Sequence, residues 1–475
     1  MRLCSYLILI CLCLSVVEAR GRFYNHRSTI QTDHPDWMRW LPDELSLSQL
    51  SLAGTHDTMA DKYGGPIQTQ SLSLKAQLEA GIRFIDIRAR HESDKFKMFH
   101  GISDLGYWFD EDVLSVCVDF LDDHPTETIV MKIGSAGVPS PEDVTRSYEE
   151  TFRSYRDDPR FTSYFWKPED PSVVSSLPRL EEIRGKIVVV QTFSSKERFG
   201  FDHAKLPFYR FSSWKVPSVF HIKAEWEERK EFLRKVDARH YGNWCYMTEL
   251  NGSSLWAYPR TVSGGFLCLV RGINSRALRH IFEENHQHLG IVIMDFPGAG
   301  LIDAIIAKNM KNATSPSAVI PDFVHVWKNI CYSAHKGGEE RVSQLISYLN
   351  GILPSQNWGG IVSQKEWGVD LAEKTFFVVS ENSGGYNHLA FTRNESDVFF
   401  PANFAKTVAD VVHGIKGIAQ ERAKQVAKSI RARFPQHTWN VFVTKAPEGP
   451  SNWAFDVGGV YYKARIGEYA YLIWA

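Results

Sequence analysis

The segment Leu47-Ser-Gln-Leu-Ser-Leu-Ala-Gly-Thr-His-Asp-Thr-Met59 decides how this chain is interpreted. Leu50 and Leu52 alternate with polar residues, and the apolar run stops at Gly54, which is typical of a short strand that reaches a turn. The next three residues are Thr-His-Asp. Polar side chains directly after a strand are typical of the carboxyl end of a barrel strand. The segment therefore predicts a strand that presents reactive side chains at its carboxyl end.

Two further stretches downstream have the same character. Gly81–Arg90 is an apolar run interrupted by alternating charges, and Lys97–Gly101 is a shorter run that ends on His-Gly. Because the carboxyl ends of barrel strands meet at one rim, we expect the polar residues of the three stretches to lie together. Those residues are His56, Asp57, Asp86, Arg88 and His100.

Two imidazoles, a guanidinium and carboxylates are the groups that acid–base cleavage of a phosphodiester requires. One imidazole can take a proton from the attacking hydroxyl while the other protonates the leaving oxygen. A guanidinium offers a planar fork of donors to the phosphoryl oxygens, and carboxylates fix the imidazole tautomers. Arg88 supplies positive charge where a divalent cation could otherwise sit, so the set predicts no metal ion and no cofactor.

Each of these residues, taken alone, also fits a structural role. A histidine at a strand end is more often structural than catalytic, and an Asp-x-Arg sequence is often a simple ion pair. The spacing alone leaves both interpretations open.

The same stretches, taken in order, resemble the X domain of bacterial-type phosphatidylinositol-specific phospholipase C. The resemblance covers roughly residues 35–310 and implies an α/β fold, a distorted (β/α)8 TIM barrel. It is carried by Leu-Ser-Leu-Ala-Gly-Thr-His-Asp-Thr at 50–58, Gln68-Thr-Gln-Ser-Leu72, Gln77–Arg88, His100-Gly101 and His124–Met131.

The resemblance also implies a reaction. The enzymes of this family cleave the glycerol–phosphate bond of phosphatidylinositol or of a glycosylphosphatidylinositol (GPI) anchor. The inositol 2-hydroxyl attacks, which releases diacylglycerol and a cyclic inositol phosphate. A nucleophile already held beside the phosphorus avoids much of the entropic barrier.

The resemblance assigns roles residue by residue. His56 corresponds to the general base and His100 to the general acid, while Arg88 binds the phosphate in place of the calcium ion used by other relatives. The acids Asp57 and Asp86 orient Arg88 and the second histidine. The partner of His56 should come from a late strand, and Gly290–Gly298 is an apolar run containing Asp295, so Asp295 is the candidate. A loop-capping role is its alternative.

The residues expected to bind the inositol ring match the family's pattern less well than the catalytic residues do. Lys132 lies two residues before the position of the family's substrate lysine, where Gly134 stands instead. Gln191 lies near the position of an expected arginine. Trp226 is the candidate for the aromatic residue that stacks on inositol, although Ala224 replaces the acid expected before it. Lys132, Gln191 and Trp226 are therefore the predicted substrate-binding residues, and the head group stays open.

The amino terminus predicts export. Arg2 precedes the apolar run Leu7–Val17, which is too short to span a membrane, and Val-Glu-Ala suits cleavage before Arg20. We therefore expect a secreted, extracellular protein, with a signal anchor as the alternative. Three glycosylation sequons agree with export, beginning at Asn251, Asn312 and Asn394.

The cysteines allow disulfides after export. The chain has seven cysteines, three of which leave with the signal peptide. An even number remains in an oxidising compartment, which permits up to two disulfides. Cys117 fits a buried free thiol, and Cys245 with Cys268 is the favoured pair.

The formal net charge is −1, and no basic block is present, which argues against nucleic acid as a partner. The expected partner is a phospholipid or GPI-type lipid at a membrane surface. Tyr107, Trp108 and Phe109 follow His100 closely enough to lie at the barrel mouth, and aromatic residues favour the membrane interface. Packing of these three side chains beneath a loop is an equal alternative.

The carboxyl-terminal part contains an internal repeat. Arg341–Pro354 with Trp358 matches Arg422–Pro435 with Trp439 at a constant offset. Each copy predicts a helix stopped by proline, a strand and a hairpin. The second copy faintly resembles a dynein light chain. We expect the two copies to pair their sheets in one α+β module that binds an unknown ligand or self-associates.

The predicted domain order is a signal peptide at 1–19, the catalytic barrel at 20–307, a linker at 308–321 and the duplicated module at 322–475, with units at about 335–394 and 416–475. Two alternative functions stay open. One is a metal-dependent phosphodiesterase of phospholipids or glycerophosphodiesters on the same barrel. The other is a secreted binding protein that has lost catalysis.

Overall fold

The computed structural model describes residues 23–312 with gaps at 31, 139, 142, 169–176, 204–207, 239–243, 267–268 and 285, and then the helices and strands between 358 and 474 with a few adjoining residues. The chain forms two compact units, Met1–Ser315 and Pro316–Ala475. The predicted signal peptide, most of the predicted linker and the first repeat's helix lie outside the described residues.

Ten strands form the sheet of the first unit. Eight of them are parallel neighbours in the order β7-β6-β5-β2-β1-β10-β9-β8, and β3 and β4 extend β2 as an antiparallel hairpin. The strands are β1 Leu52–Thr55, β2 Phe84–Glu92, β3 Lys95–His100, β4 Ser103–Trp108, β5 Thr128–Ser135, β6 Lys186–Gln191, β7 Phe201–Asp202, β8 Phe208–Phe211, β9 Cys245–Glu249 and β10 Ile291–Met294.

The sheet curls into a barrel that is left distorted at one seam. Among the described residues no strand pairing joins β7 to β8. The rings of Phe201 and Phe208 meet there instead, with centroids 5.3 Å apart. The predicted distorted (β/α)8 barrel is confirmed.

Helices connect the strands and cover the barrel. Two of these helices begin after an N-cap serine. The side chains of Ser73 and Ser147 accept hydrogen bonds from backbone N–H groups of the helices that they precede. The α-helices are Leu74–Glu79, Ser115–Asp123, Tyr148–Arg156, Leu180–Ile183, Ile222–Ala238, Pro259–Gly264, Ile273–Glu283 and Ala299–Ala307. A π-helix spans Phe109–Leu114, and 3-10 turns span Trp37–Trp40, Leu47–Gln49, Val219–His221 and Met310–Asn312.

The amino-terminal part of the barrel contains a buried ion pair. Arg83 and Glu127 are fully buried, with Nη2 and Oε2 2.8 Å apart. Arg83 also donates to the carbonyls of His34 and Pro35, and Glu127 accepts the amide of Met38. Because every contact of this pair is internal, its role is to hold the amino-terminal segment against the barrel.

The second unit contains two four-stranded antiparallel sheets, β13-β14-β11-β16 and β12-β15-β18-β17. Each sheet takes three strands from one repeat and one from the other, so β12 pairs with β15 and β16 pairs with β11. The strands are β11 Trp358–Ser363, β12 Trp367–Asp370, β13 Phe377–Ser383, β14 Tyr386–Thr392, β15 Asn440–Lys445, β16 Trp453–Asp456, β17 Tyr461–Ile466 and β18 Tyr469–Trp474.

Strands β12 and β16, each of which joins the sheet of the other repeat, share a sequence pattern outside the repeat described above. Trp367-Gly-Val-Asp370 and Trp453-Ala-Phe-Asp456 both have tryptophan first and aspartate last. Helices Phe404–His413 and Ala419–Arg433 belong to this unit. Val426 and Ile430 pack with Trp439 in a buried core.

In the described residues, none of the helices combines the length and apolarity needed to cross a membrane. Cys117 and Cys245 are buried free thiols. The predicted pairing of Cys245 is therefore wrong, and Cys268 lies outside the described residues. Asn251 is 2% exposed and its carbonyl accepts from Arg229, so this sequon is not accessible for glycosylation.

Candidate active site

The parallel register brings the candidate residues together at the carboxyl ends of the strands. Thr55 of β1 pairs with Met294 of β10, so the following residues, His56 and Asp295, emerge side by side. On β2, Asp86 pairs with Lys132 of β5, which places both at one level of the barrel.

His100 reaches the site by a route that the sequence analysis did not predict. Strand β2 continues beyond the barrel rim to Glu92 and turns at Ser93 and Asp94, both of which have positive φ. Strand β3 then runs back antiparallel to β2. The expected third barrel strand is therefore a returning hairpin, whose last residue, His100, comes back to the rim.

Asp57 lies at the centre of the site in a strained backbone conformation. Its φ is 41°, a left-handed value that is uncommon outside glycine. The neighbouring Thr58 stabilises this turn, because its amide donates to the carbonyl of Asp86 (3.0 Å) and its hydroxyl accepts the amide of Asp86 (2.8 Å). Non-glycine residues in this region are often found at functional sites.

His56 lies between two carboxylates and a guanidinium. Its Nδ1 is 2.9 Å from Oδ1 of Asp295, and its Nε2 is 3.4 Å from Oδ2 of Asp57. Nη2 of Arg88 donates to Nε2 of His56 over 2.9 Å. This arrangement fits a neutral imidazole with its hydrogen on Nδ1 and a lone pair on Nε2.

Arg88 pairs with both neighbouring acids. Its Nε is 2.5 Å from Oδ1 of Asp57, and its Nη2 is 3.2 Å from Oδ2 of Asp86. The other oxygen of Asp86 is 3.0 Å from Nζ of Lys132. Lys132 is therefore part of the site, but its ammonium group is paired with Asp86.

His100 completes the set. Its Nδ1 donates to the carbonyl of Ile67 over 2.5 Å, and its Nε2 is 3.2 Å from Oδ2 of Asp57. The rings of His56 and His100 are nearly perpendicular, with centroids 6.5 Å apart. Asp57 thus lies between two imidazoles that face a common space.

The carboxylates shift the pKa of His56 upward. Burial lowers this pKa, but the charges of Asp57 and Asp295, together with the hydrogen bond that Nδ1 donates to Asp295, outweigh burial and raise it to about 9. Burial also raises the pKa of Asp295, with His56 acting against that rise.

The pKa of Asp86 is lowered, because Lys132, Arg88 and His56 together outweigh the opposing effect of burial. The pKa of Arg88 is raised, since the charges of Asp86 and Asp57 overcome its burial. The site therefore keeps Asp86 and Arg88 ionised at every physiological pH. His56, Asp57 and Asp86 could also hold a metal ion, but in this arrangement Arg88 pairs with both carboxylates.

Two of the predicted substrate-binding residues, Trp226 and Gln191, are buried. Trp226 is buried on helix Ile222–Ala238 with its ring 5.5 Å from that of His280, so the prediction that it stacks on inositol is wrong. Gln191 is buried at the end of β6, where its Oε1 accepts the amide of Phe199. That contact fixes the carbonyl oxygen of the Gln191 side chain.

The predicted membrane contact at Tyr107–Phe109 also needs correction. Phe109 is fully buried, with its ring 5.2 Å from that of Tyr155. The hydroxyl of Tyr107 donates to Asp61, and Lys97 lies over the ring of Trp108. Phe109 is therefore packed in the interior, as the alternative expected, although against a helix and not beneath a loop, and the other two residues are half-buried.

Three polar residues near the site, His203, Arg210 and Glu249, are not among those predicted from the sequence. His203 follows β7, and Nη1 of Arg210 lies 3.3 Å from its Nε2. Burial and the charges of Lys132 and Arg210 lower the pKa of His203 to about 4. Glu249 ends β9 and accepts the hydroxyl of Ser212. The short, irregular strands β7 and β8 give no periodic pattern that could have revealed them.

The barrel and its rim define a class of protein. Two imidazoles, one hydrogen-bonded to a carboxylate and the other beside one, flank a guanidinium at the carboxyl ends of barrel strands. These are the groups of an acid–base phosphodiesterase in which an arginine supplies the positive charge.

Comparison with known proteins agrees with this class. The family described as "Phosphatidylinositol-specific phospholipase C, X domain" matches residues 47–192. A 1-phosphatidylinositol phosphodiesterase of Listeria monocytogenes is 30% identical over 295 residues, which cover 58% of this chain and 85% of that protein. A protein of the same description from Staphylococcus aureus (strain NCTC 8325 / PS 47) is 24% identical over 312 residues, covering 60% of this chain and 92% of its own.

Among solved structures, a phosphatidylinositol-specific phospholipase C from Staphylococcus aureus with incorporated pentafluoro-Phe matches with a TM-score of 0.50 and 21% identity. The match covers 58% of this chain and 97% of that one, and it supports the fold alone. The chain belongs to the phosphatidylinositol-specific phospholipase C family and carries its X domain.

Proposed function

We propose that this protein is a secreted phospholipase C that cleaves phosphatidylinositol or GPI-type lipids into diacylglycerol and a cyclic inositol phosphate. The observation that carries the proposal is the convergence of His56, Arg88 and His100 around Asp57. The relatives described as 1-phosphatidylinositol phosphodiesterases support the substrate class.

His56 acts as the general base in this proposal. Its Nδ1 hydrogen is held by Asp295, which leaves the Nε2 lone pair on the side of Arg88 and the phosphate. The inositol 2-hydroxyl gives its proton to Nε2 as its oxygen attacks phosphorus. Asp295 stabilises the imidazolium that forms.

His100 acts as the general acid. Its Nδ1 hydrogen is held by the carbonyl of Ile67, so a second proton on Nε2 is available to the glycerol oxygen. Oδ2 of Asp57 lies 3.2 Å from that nitrogen, close enough to orient the ring. Bond cleavage then releases diacylglycerol as a neutral alcohol.

Arg88 stabilises the charge that builds on the phosphoryl oxygens. Asp57 and Asp86 hold its guanidinium from two sides, so little reorganisation is needed when the substrate binds. Lys132, through Asp86, extends the same chain of ion pairs.

The decisive experiment follows the product. The purified protein is incubated with phosphatidylinositol, with phosphatidylcholine and with a GPI-anchored protein, and phosphorus NMR is used to detect a cyclic phosphate. His56→Ala and His100→Ala should each lose roughly 10²–10⁴ in rate. Absence of a cyclic product from both inositol lipids would refute the proposal, and activity abolished by a chelator would favour the metal-dependent alternative. Recovery of the protein from the culture medium tests secretion.

The lipid surface would be contacted by a different set of exposed apolar residues from the predicted one. Trp214 and Phe220 lie in the connection that follows β8, and Leu255 and Trp256 follow β9, so all four belong to the barrel's carboxyl rim. Their side chains are 56% to 85% exposed. Exposed tryptophan at such a rim is suited to the membrane interface.

The two rim connections are held together by their backbones. Ser253 donates its amide to the carbonyl of Trp214 over 2.8 Å. The buried guanidinium of Arg229 donates to the carbonyls of Ser213 and Asn251. The apolar side chains therefore project from one fixed ridge beside the active site.

A vesicle experiment tests this surface. Trp256→Ala should reduce binding to phosphatidylcholine vesicles and the hydrolysis of vesicle-borne phosphatidylinositol, while hydrolysis of a soluble short-chain substrate stays unchanged. Trp244→Ala is a control, because this half-exposed tryptophan precedes β9 and so lies at the opposite end of that strand. Equal vesicle binding by both variants would contradict the assignment.

A further inference from the structure

The sequence motif at 68–72 has no part in the proposed chemistry, yet its first residues lie directly behind the proposed catalytic groups. Residues 68–70 belong to neither a helix nor a strand. Thr69 and Gln70 are nevertheless only 0% and 1% exposed. Because buried polar side chains need internal hydrogen-bond partners, the partners of these two residues show what the segment holds in place.

Gln70 joins the ends of strands β1 and β10. Its side-chain amide nitrogen donates to the carbonyl of His56 over 2.8 Å and to the carbonyl of Met294 over 2.9 Å. An amide nitrogen carries two hydrogens, so both are used. His56 follows β1, and Met294 is the last residue of β10, directly before Asp295. Gln70 therefore holds together the two backbones from which the hydrogen-bonded pair of His56 and Asp295 projects.

Thr69 contacts two strained turns beside that pair. Its hydroxyl donates to the carbonyl of Asp57 over 3.0 Å, and its own carbonyl accepts the amide of Phe296 over 2.9 Å. Asp57 and Phe296 both have left-handed backbones, with φ of 41° and 47°. Such conformations cost free energy outside glycine and persist only where neighbouring groups hold them. Thr69 supplies one hydrogen bond to each turn.

The residue before this motif reaches the second histidine. The carbonyl of Ile67 accepts Nδ1 of His100 over 2.5 Å. Because a carbonyl can only accept, this contact places a hydrogen on Nδ1 and so leaves Nε2 for the chemistry. The side-chain amide of Gln68 donates to the carbonyl of Gln70 over 2.8 Å, which stabilises the segment itself. Residues 67–70 thus contact both histidine segments and the turns that carry the two acids.

We propose that Thr69 and Gln70 are positioning residues of the reaction, which set the placement of Asp57 and of the pair formed by His56 and Asp295. The role rests on the proposed function, since it assumes that His56 takes the proton of the attacking hydroxyl. A misplacement of about 1 Å among reacting groups can cost about 10²-fold in rate. A buried segment that takes no part in proton transfer can therefore still determine kcat.

Gln70→Met is the test variant, because methionine has a similar volume and removes both donated hydrogen bonds. On soluble short-chain phosphatidylinositol, well below the thermal transition, we expect kcat to fall about 10- to 100-fold with KM nearly unchanged. The acid limb of the pH profile should move to lower pH, because a looser contact with Asp295 raises the pKa of His56 less. The other charged groups that contact His56, Asp57 and Arg88, are unchanged in this variant.

Asn309→Leu is the matched control. Asn309 is also buried, and its amide nitrogen donates to the carbonyls of Ser51 and Ile306 over 2.8 Å and 3.0 Å. Ser51 directly precedes β1, so this amide holds the end of the strand opposite to His56. Both variants should lower the Tm, but Asn309→Leu should keep the kcat and the acid limb of the wild type.

Thr69→Val and Thr69→Ser form a second pair, which decides if Gln70→Met does not fold. Serine keeps the hydroxyl that reaches Asp57 and should keep kcat near the wild-type value, whereas valine should lower kcat about 10-fold. A Gln70→Met protein with a lower Tm but the kcat and acid limb of the wild type would overturn the positioning role, as would equal kcat of the two Thr69 variants. A wild type that forms no cyclic product would instead refute the proposed function, and this role with it.

Discussion

At the scale of single residues, His56 experiences opposing influences. Two carboxylates favour its charged form, but a general base must be neutral to accept a proton. Because its pKa is raised to about 9, the neutral fraction grows as pH rises toward 9. The acid side of the pH profile of kcat/KM should therefore lie well above 6.5, the ordinary value for histidine.

Asp295→Asn makes this testable. The substitution removes one of the charges that raise the pKa of His56, so the acid limb of kcat/KM should move to lower pH, with a lower plateau as well. Rates on a soluble substrate from pH 5 to 10 measure the shift. Asp36→Asn is the control, because it disrupts a similar carboxylate–imidazole contact of 2.9 Å at His124, outside the site. An acid limb that stays in place would mean that another group controls it.

Arg88→Lys tests the guanidinium. An ammonium cannot keep the contacts to Asp57 and Asp86 while also presenting two parallel donors to phosphate. We expect kcat to fall about 10²- to 10³-fold, the usual cost of a lost transition-state donor. Arg90→Lys, two residues further along β2, should have little effect. A loss of only a few-fold at Arg88 would show that its geometry is not essential.

The motifs made the central residues predictable, because they stand directly after strands or within them. For Trp226, the spacing of apolar residues around it argues against the predicted role in binding inositol. Ile222, Trp226 and Leu233 recur at helical spacing and are all buried. A tryptophan in such a pattern belongs to the helix core. His203 and Glu249 had no such pattern in the sequence. His203 follows β7 and Glu249 ends β9, and only the curl of the sheet shows that the ends of these strands belong to one rim.

At the scale of elements, the hairpin β3–β4 and the two rim connections show why loops could not be derived from the sequence. A returning strand and a barrel strand have the same local pattern, so the direction of β3 was hidden until its pairing with β2 was known. Similarly, the ridge of apolar residues exists because Arg229 joins two connections that are far apart in sequence.

Arg229→Met tests that junction. Arg229 donates to the carbonyls of Glu249 and Asn251, each over 3.0 Å, in a buried position. Methionine leaves these acceptors unsatisfied, which should lower the free energy of unfolding by on the order of 3 kcal/mol. Urea denaturation measures the change. Lys223→Met, an exposed cation on the same helix, should change stability little; equal stability of the two variants would show that the junction is unimportant.

At the scale of the whole molecule, the chain consists of two units with separate sheets and separate cores. The repeat predicted two similar halves for the second unit. It could not predict that β12 and β16 exchange places, because a strand's sequence does not specify which neighbouring sheet it joins. The exchange ties the two repeats together, so we expect this unit to unfold as one.

Calorimetry tests the independence of the two units. The full chain should show two transitions, and a chain ending at Ser315 should keep the transition of the barrel and lose the other. Because every proposed catalytic group lies in the first unit, the shortened chain should also keep its activity on a soluble substrate. A single transition in the full chain, together with an inactive shortened chain, would mean that the barrel depends on the second unit. Loss of vesicle activity alone would instead assign the second unit to the recognition of the membrane or of its targets.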